Sequence, residues 1–168
     1  LALVAGYLAL LPWRGPWRAP AAAVAAAALG VAVWAPPLQI IDVPDGGRVL
    51  RVLDGAQAVV SIVEDAQGVT RLHIDNRQQE GSSATVLADG RQALLPLLLH
   101  PAPQRALFLG LGTGVSASIA AGDAGLQVDA VELLPEVIAA SAHFTQALHG
   151  DAPLPRLHRL QADARRFV

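Results

Sequence analysis

Arg105-Ala-Leu-Phe-Leu-Gly110-Leu-Gly112-Thr-Gly114-Val-Ser-Ala-Ser-Ile119 is the segment around which the chain is organised. An apolar run of strand length enters a glycine-rich turn, and a segment of small and apolar residues with helical character leaves it. Glycine has no Cβ and accepts positive φ, so such a turn lets backbone come close to a ligand. The helix start behind it would offer unpaired N–H groups and a positive dipole end to an anionic or electron-rich group. About twenty residues on, Leu126-Gln-Val-Asp-Ala-Val131 is a second apolar run, and it ends in Glu132. An acidic side chain at the tip of a second strand is where a ribose diol would be held. This order of elements predicts an α/β fold.

The spacing of the glycines narrows the ligand. A dinucleotide fingerprint of the form G-x-G-x-x-G would put its third glycine at Val115. The pattern present is G-x-G-x-G, which suits a nucleoside sulfonium of the S-adenosylmethionine kind better than a nicotinamide dinucleotide. The alternative is a glycine-rich turn that binds nothing.

Composition bounds the other function classes. A chain of 168 residues has room for about one domain. It starts at Leu1 rather than methionine and stops at Phe167-Val168, where the pattern begins a new helix, so a fragment of a longer protein is expected. A formal net charge of −2 and no basic cluster give no basis for nucleic-acid binding. The absence of cysteine excludes disulfides and thiolate metal sites, and the five histidines are scattered without ligand spacing. No metal is expected.

Outward from the turn toward the N-terminus, residues 1–41 carry only Arg14 and Arg18 as charges. Leu1 to Leu11 is apolar but too short to cross a bilayer unless it is the end of a longer helix. Pro12-Trp-Arg-Gly-Pro-Trp-Arg-Ala-Pro20 reads as a turn at lipid headgroup level, followed by an Ala- and Val-rich stretch to Ile41 of spanning length. Transmembrane helices and contact with membrane lipid are therefore expected over 1–41. The arginines would hold the turn in the cytoplasm and carry the remainder outside after a full second crossing. Because sulfonium nucleosides are intracellular, a cytoplasmic soluble portion is favoured all the same.

Residues 42–90 read as a small β domain and linker. Arg48 to Leu53, Ala58 to Val63 and Val69 to Ile74 are Val/Ile/Leu-rich runs separated by Asp54-Gly55 and Glu64-Asp-Ala-Gln-Gly68, so an antiparallel unit is predicted. Asp75 to Gly81 reads as another tight turn, and Ser82 to Gly90 is polar without a clear pattern. Residues 91–168 read as the N-terminal half of a nucleotide-binding domain. Arg91 to His100 has helical character interrupted by Pro96. Pro135 is placed as a first helical residue, and Val137, Ala140, Phe144 and Leu148 follow at core-facing spacing. His143 and His149 on that helix read as surface or boundary residues. Leu157 to Leu160 is a third short strand, leading to Gln161-Ala162-Asp163-Ala164. That Asp-Ala pair can present a carboxylate and a backbone N–H to an adenine edge; a plain helix N-cap aspartate is the alternative.

With these segments in order, the chain resembles the spermidine/spermine synthase family, in its bacterial membrane-fused form. The matching text is Asp54-Gly-Ala-Gln-Ala-Val-Val-Ser-Ile-Val-Glu-Asp65, Leu72-His-Ile-Asp-Asn-Arg-Gln-Gln79, Arg91-Gln-Ala-Leu-Leu-Pro-Leu-Leu-Leu-His-Pro101, Leu107 to Gly114, Val131 to Val137 and Ala162 to Phe167. The resemblance implies a Rossmann-like S-adenosylmethionine-dependent-transferase fold, truncated, preceded by the small antiparallel β unit and N-terminal transmembrane helices. It implies that Gly110, Gly112 and Gly114 wrap the sulfonium end of decarboxylated S-adenosylmethionine, or of S-adenosylmethionine itself. Glu132 would grip the ribose hydroxyls, and Asp163 with Ala164 would meet the adenine. The implied reaction is aminopropyl transfer to a small-molecule amine, in polyamine biosynthesis at the bacterial inner membrane. Family members often dimerise, so the resemblance admits a homodimer.

The chain also departs from the family pattern. Thr113 stands where the family has an amine-binding aspartate, and Leu94, Leu95 and Pro96 where it has a Tyr-His-Glu-like group. Gln57 falls one position out of register with a cofactor-binding glutamine, whereas Gln79 matches a family glutamine. The family's catalytic aspartate is expected beyond Val168, so no catalytic residue is assigned. Two other readings of the same residues stand beside this one: an S-adenosylmethionine-dependent methyltransferase, and a non-catalytic nucleoside-binding domain of a membrane protein.

Overall fold

The computed structural model describes residues 18–34, 41–150 and 152–167. Contacts divide the chain into two compact units, Leu1–Gln39 and Ile40–Val168. In the first, helix α1 spans Arg18–Trp34, 17 residues of mostly Ala and Val. It starts inside the stretch expected to be a turn and ends before Pro36-Pro37, whose rings cannot continue a helix. At 1.5 Å per residue it rises roughly 26 Å, short of the ~30 Å hydrocarbon core. Among the described residues no helix is long and apolar enough to cross a membrane, so the expected transmembrane helices are not found there. The expected segment from Leu1 to Leu11 lies outside the described residues.

The second unit opens with an antiparallel sheet in the order β1 (Arg48–Asp54), β2 (Val59–Glu64), β3 (Thr70–Ile74), β4 (Arg77–Ser82). The three expected strands form within a residue of their expected limits. Each connection has a local cause. Asp65 accepts the N–H groups of Gln67 and Val69 at 2.9 Å each, folding the β2–β3 turn around its carboxylate. Arg71 pairs with the same carboxylate at 2.6 Å and holds it below the usual carboxylate range. The segment after Ile74 corrects the sequence reading. Only Asp75 and Asn76 turn, with φ of 49° and 62°, and Arg77 is already paired with Ile74. Two consecutive positive φ values make the tight hairpin turn that matches strand twist, and Asp and Asn tolerate them best after glycine. Arg77 to Gly81, expected as turn, is strand.

The parallel part follows. Helix α2 (Val86–Leu99) begins five residues before the expected Arg91 and runs through Pro96. Strand β5 (Arg105–Leu109), helix α3 (Val115–Ala120), strand β6 (Gln127–Glu132), helix α4 (Pro135–His149), strand β7 (Leu157–Gln161) and the short α5 (Ala164–Phe167) complete the chain. The sheet order is β5-β6-β7, all parallel, in register Leu109↔Val131 and Val131↔Leu160. Pro135 opens α4 as expected, where its missing N–H costs nothing.

Two core clusters hold these layers. Val128 and Ala130 of β6, fully buried, pack with Leu126, Leu157, Ala117 and Ala120. In the second cluster Val60, Ile62 and Leu72 of the antiparallel sheet meet Val115, Val137, Ala140 and Phe144. Alternation along β2 and β3 turns Val60, Ile62 and Leu72 to one face. The helical spacing of Val137, Ala140 and Phe144 turns them to the same interface. The β unit and the parallel unit thus share a core and belong to one compact body.

Candidate functional site

The G-x-G-x-G turn joins β5 to α3, and all three glycines have positive φ: 107° at Gly110, 54° at Gly112 and 75° at Gly114. Alternate residues in a left-handed conformation require alternate glycines, which is the physical reason for the spacing. Their settings differ. A Cβ on Gly110 would meet nothing within 4 Å, so the turn is open there. A Cβ on Gly114 would lie 3.1 Å from Ser141 Cβ and 3.2 Å from Thr145 Cγ2, so the turn packs directly onto α4. The Gly110 N–H donates to Val131 O at 2.8 Å and ties the tip of β5 to that of β6.

Glu132 ends β6 and turns its carboxylate onto this turn. Oε2 accepts from Leu111 N at 3.1 Å and Gly112 N at 3.5 Å. Oε1 accepts from Leu133 N at 2.8 Å and Leu134 N at 3.1 Å. A carboxylate has about four acceptor positions, and here backbone N–H groups take them from both sides. Glu132 therefore staples the glycine turn to the entry of α4.

Asp163 lies just past β7. The Ala162 N–H donates to Glu132 O at 3.0 Å, drawing this tip toward that of β6. Asp163 Oδ1 accepts from Arg165 N at 3.0 Å and Nε at 3.1 Å, and Oδ2 from Arg165 Nη2 at 2.8 Å. Arg165 holds this carboxyl below its usual range. In this structure Asp163 is thus a helix-capping aspartate with an arginine partner, the alternative already visible in the sequence. Ala164 is half-buried beside it.

Because β5, β6 and β7 are adjacent and parallel, Gly110–Gly114, Glu132 and Asp163–Ala164 stand along one edge, at the C-terminal ends of the strands. That edge is where open α/β sheets bind ligands. A groove of about 590 Å³ lies elsewhere, between α2 and β5, lined by Pro96, Leu97, His100 and Phe108 among others; none of these candidates lines it. His143 is exposed with its ring edge-on to Phe144, and His149 Nε2 is buried without a hydrogen bond. Among the described residues no group of three His, Cys, Asp or Glu side chains converges on a metal-sized site.

The departures are also placed. Leu94, Leu95 and Pro96 are exposed on α2, and Gln57 is exposed in the β1–β2 bend. Thr113 is only 6% exposed. Against it stands Gly81, whose absent Cβ would lie 3.2 Å from both Thr113 Cγ2 and Oγ1 and 3.4 Å from Asp89 Oδ2. Asp89 was not singled out in the sequence. The signal available was Thr85 four residues before it, on one helix face; the Thr85 hydroxyl lies 3.0 Å from Asp89 Oδ2.

No protein-family model matches the chain, and no curated protein is significantly similar to it. Solved structures do match. The spermidine synthase of Thermotoga maritima superposes with a TM-score of 0.61 at 19% identity, over 71% of this chain and 42% of that one. A spermidine synthase in complex with the transition-state analogue AdoDATO gives the same values. A probable spermidine synthase from Corynebacterium glutamicum gives a TM-score of 0.50 at 18% identity, over 71% of this chain and 47% of that one. The chain thus shares the α/β fold of these solved structures and spans less than half of their length.

Proposed function

We propose that the chain carries the nucleoside-binding half of an aminopropyltransferase, with decarboxylated S-adenosylmethionine as co-substrate and a small amine as acceptor. The observation that carries this reading is the convergence of a positive-φ glycine turn, Glu132 and Asp163–Ala164 on one strand edge. An open turn at Gly110 leaves room for the sulfonium arm. A ribose diol would reach Glu132 by displacing its longest bond, that from Gly112 at 3.5 Å. Adenine would compete with Arg165 for Asp163. In the reaction, the amine lone pair attacks the carbon next to S⁺ and the C–S bond breaks with its electrons going to sulfur. Methylthioadenosine leaves, and the new secondary ammonium gives up one proton to a base. Positioning carries most of such a transfer.

Methyl transfer from S-adenosylmethionine is the second reading, favoured by a buried Thr113 where the glycine turn would need a carboxylate. A nucleoside-binding domain without catalysis is the third. Attachment to membrane lipid, with the nucleoside site in the cytoplasm, belongs to the proposal through the sequence of residues 1–41 alone.

Calorimetric titration with decarboxylated and ordinary S-adenosylmethionine tests the proposal. The decarboxylated form is expected to bind more tightly. Glu132→Gln, which turns an acceptor into a donor facing backbone N–H groups, is expected to weaken it at least tenfold. Preference for the carboxylated form favours methyl transfer, and binding of neither overturns the nucleoside site.

A further inference from the structure

We infer that the cavity between the C-terminal end of α4 and β7 binds a small oxyanion of the phosphate class, held by Arg159 and His149. It lies at the far end of α4 from Glu132, about 21 Å along a helix of 15 residues, and is independent of the nucleoside reading.

Alternation along β7 puts Arg159 on the same face as Leu157, which is buried in a cluster that Leu154 and Ile138 of α4 join. A cavity of about 190 Å³ opens there, lined by Thr145, His149, Gly150, Pro153, Leu154 and Arg159 among others. At about 30 Å³ per water it has room for about six groups of that size, enough for phosphate and too little for a nucleotide. Several donors around it are already spent. Thr145 Oγ1 donates to Ser141 O at 3.2 Å, Gly150 N to Gln146 O at 2.7 Å and Ala152 N to His149 O at 3.2 Å. Pro153 has no N–H. Two side chains are left over. His149 Nε2 is buried without a hydrogen-bond partner, and none of the five ion pairs among the described residues involves Arg159. A buried nitrogen without a partner is destabilising unless a bound group satisfies it. With its proton on Nε2, His149 donates alongside the guanidinium, and apolar walls from Pro153 and Leu154 strengthen both interactions. The end of α4 carries about half a negative charge, which favours Arg159 there and leaves a net positive charge for an ion. A group that accepts from both donors and is negatively charged therefore fits. A cation would meet the guanidinium's repulsion, and a neutral alcohol would gain no pairing of opposite charges.

The test titrates inorganic phosphate into the whole chain at fixed ionic strength, read by calorimetry and by the histidine ring resonances in NMR spectra. One phosphate per chain is expected to bind and to move the His149 resonances, whereas chloride should do neither. Acetate separates the sources of such an anion: displacement of phosphate extends the site to carboxylates, no displacement confines it to phosphate, and both support an oxyanion site. Arg159→Gln should weaken phosphate by about tenfold, and Arg159→Lys should recover part of the loss. His149→Phe should weaken it by about fivefold, and His149→Gln, whose amide also donates, should recover most of that. Circular dichroism checks that each variant is folded. Equal binding of chloride, or loss in Arg159→Gln without loss in His149→Phe, would mean an adventitious ion only, on a surface arginine, and would overturn the site. Competition between phosphate and decarboxylated S-adenosylmethionine would move the ion to the strand tips and overturn it too. Absence of phosphate binding overturns the oxyanion site and leaves the nucleoside reading standing.

Discussion

Replacing Gly114 by alanine separates two reasons for a glycine at that position. With φ at 75°, an alanine there would adopt a left-handed conformation, which costs about 1–2 kcal/mol. Its Cβ would also press on Ser141 Cβ at 3.1 Å, Thr145 Cγ2 at 3.2 Å and Leu111 Cδ1 at 3.5 Å. Ser141 and Thr145 are buried on α4, so neither yields freely, and overpacking of this kind costs about 1–3 kcal/mol. Gly114→Ala should therefore lose roughly 2–5 kcal/mol. Gly68 supplies the control. Its φ is 79°, nearly the same, yet a Cβ there meets nothing within 4 Å. Gly68→Ala should lose only the backbone share, about 1–2 kcal/mol. Urea unfolding followed by circular dichroism reads both losses, and their difference is the packing share. Thr145→Ser removes one of the opposing carbons and should recover part of that difference in the Gly114→Ala background. Equal losses in Gly114→Ala and Gly68→Ala would refute the claim that the turn is clamped against α4.

Two further outcomes test the shared core and its titration. Phe144, 4% exposed, packs with Val60, Ile62 and Leu72 of the antiparallel sheet, so Phe144→Ala should cost about 3–5 kcal/mol. Residues 41–167 should still unfold in one transition; separate transitions for the two sheets would contradict a common core. His73 on β3 is buried with Nδ1 unpartnered, and burial, helped by Arg71 and opposed by Asp42, lowers its pKa from the ordinary 6.5. The unfolded chain takes up that proton first, so stability is full above 6.5 and falls as pH drops through the folded value. Thermal midpoints measured down from neutral pH should show this loss, and His73→Leu should flatten it; an identical acid profile in the variant would remove His73 as the cause.

Much of the fold follows from short-range signals. Alternate glycines mark alternate positive φ values, Glu132 marks a strand tip, Pro135 marks a helix start, and Val/Ile-rich runs bounded by Asp-Gly mark the first three antiparallel strands. Each depends on a residue and its near neighbours, so each survives in the order of letters. The fourth strand was illegible because Arg77-Gln-Gln-Glu80 has no apolar alternation, and the turn before it was two residues rather than seven. The start of α2 was hidden by its polar first turn, and α1 proved shorter than the apolar stretch that suggested a membrane span. Tertiary structure alone decided that Glu132 staples the glycine turn to α4, that Arg165 occupies Asp163, and that Thr113 packs against Gly81. Those contacts join residues through the packing of helices on sheets. Their distances depend on the volumes of every side chain in between, and no local pattern carries that information.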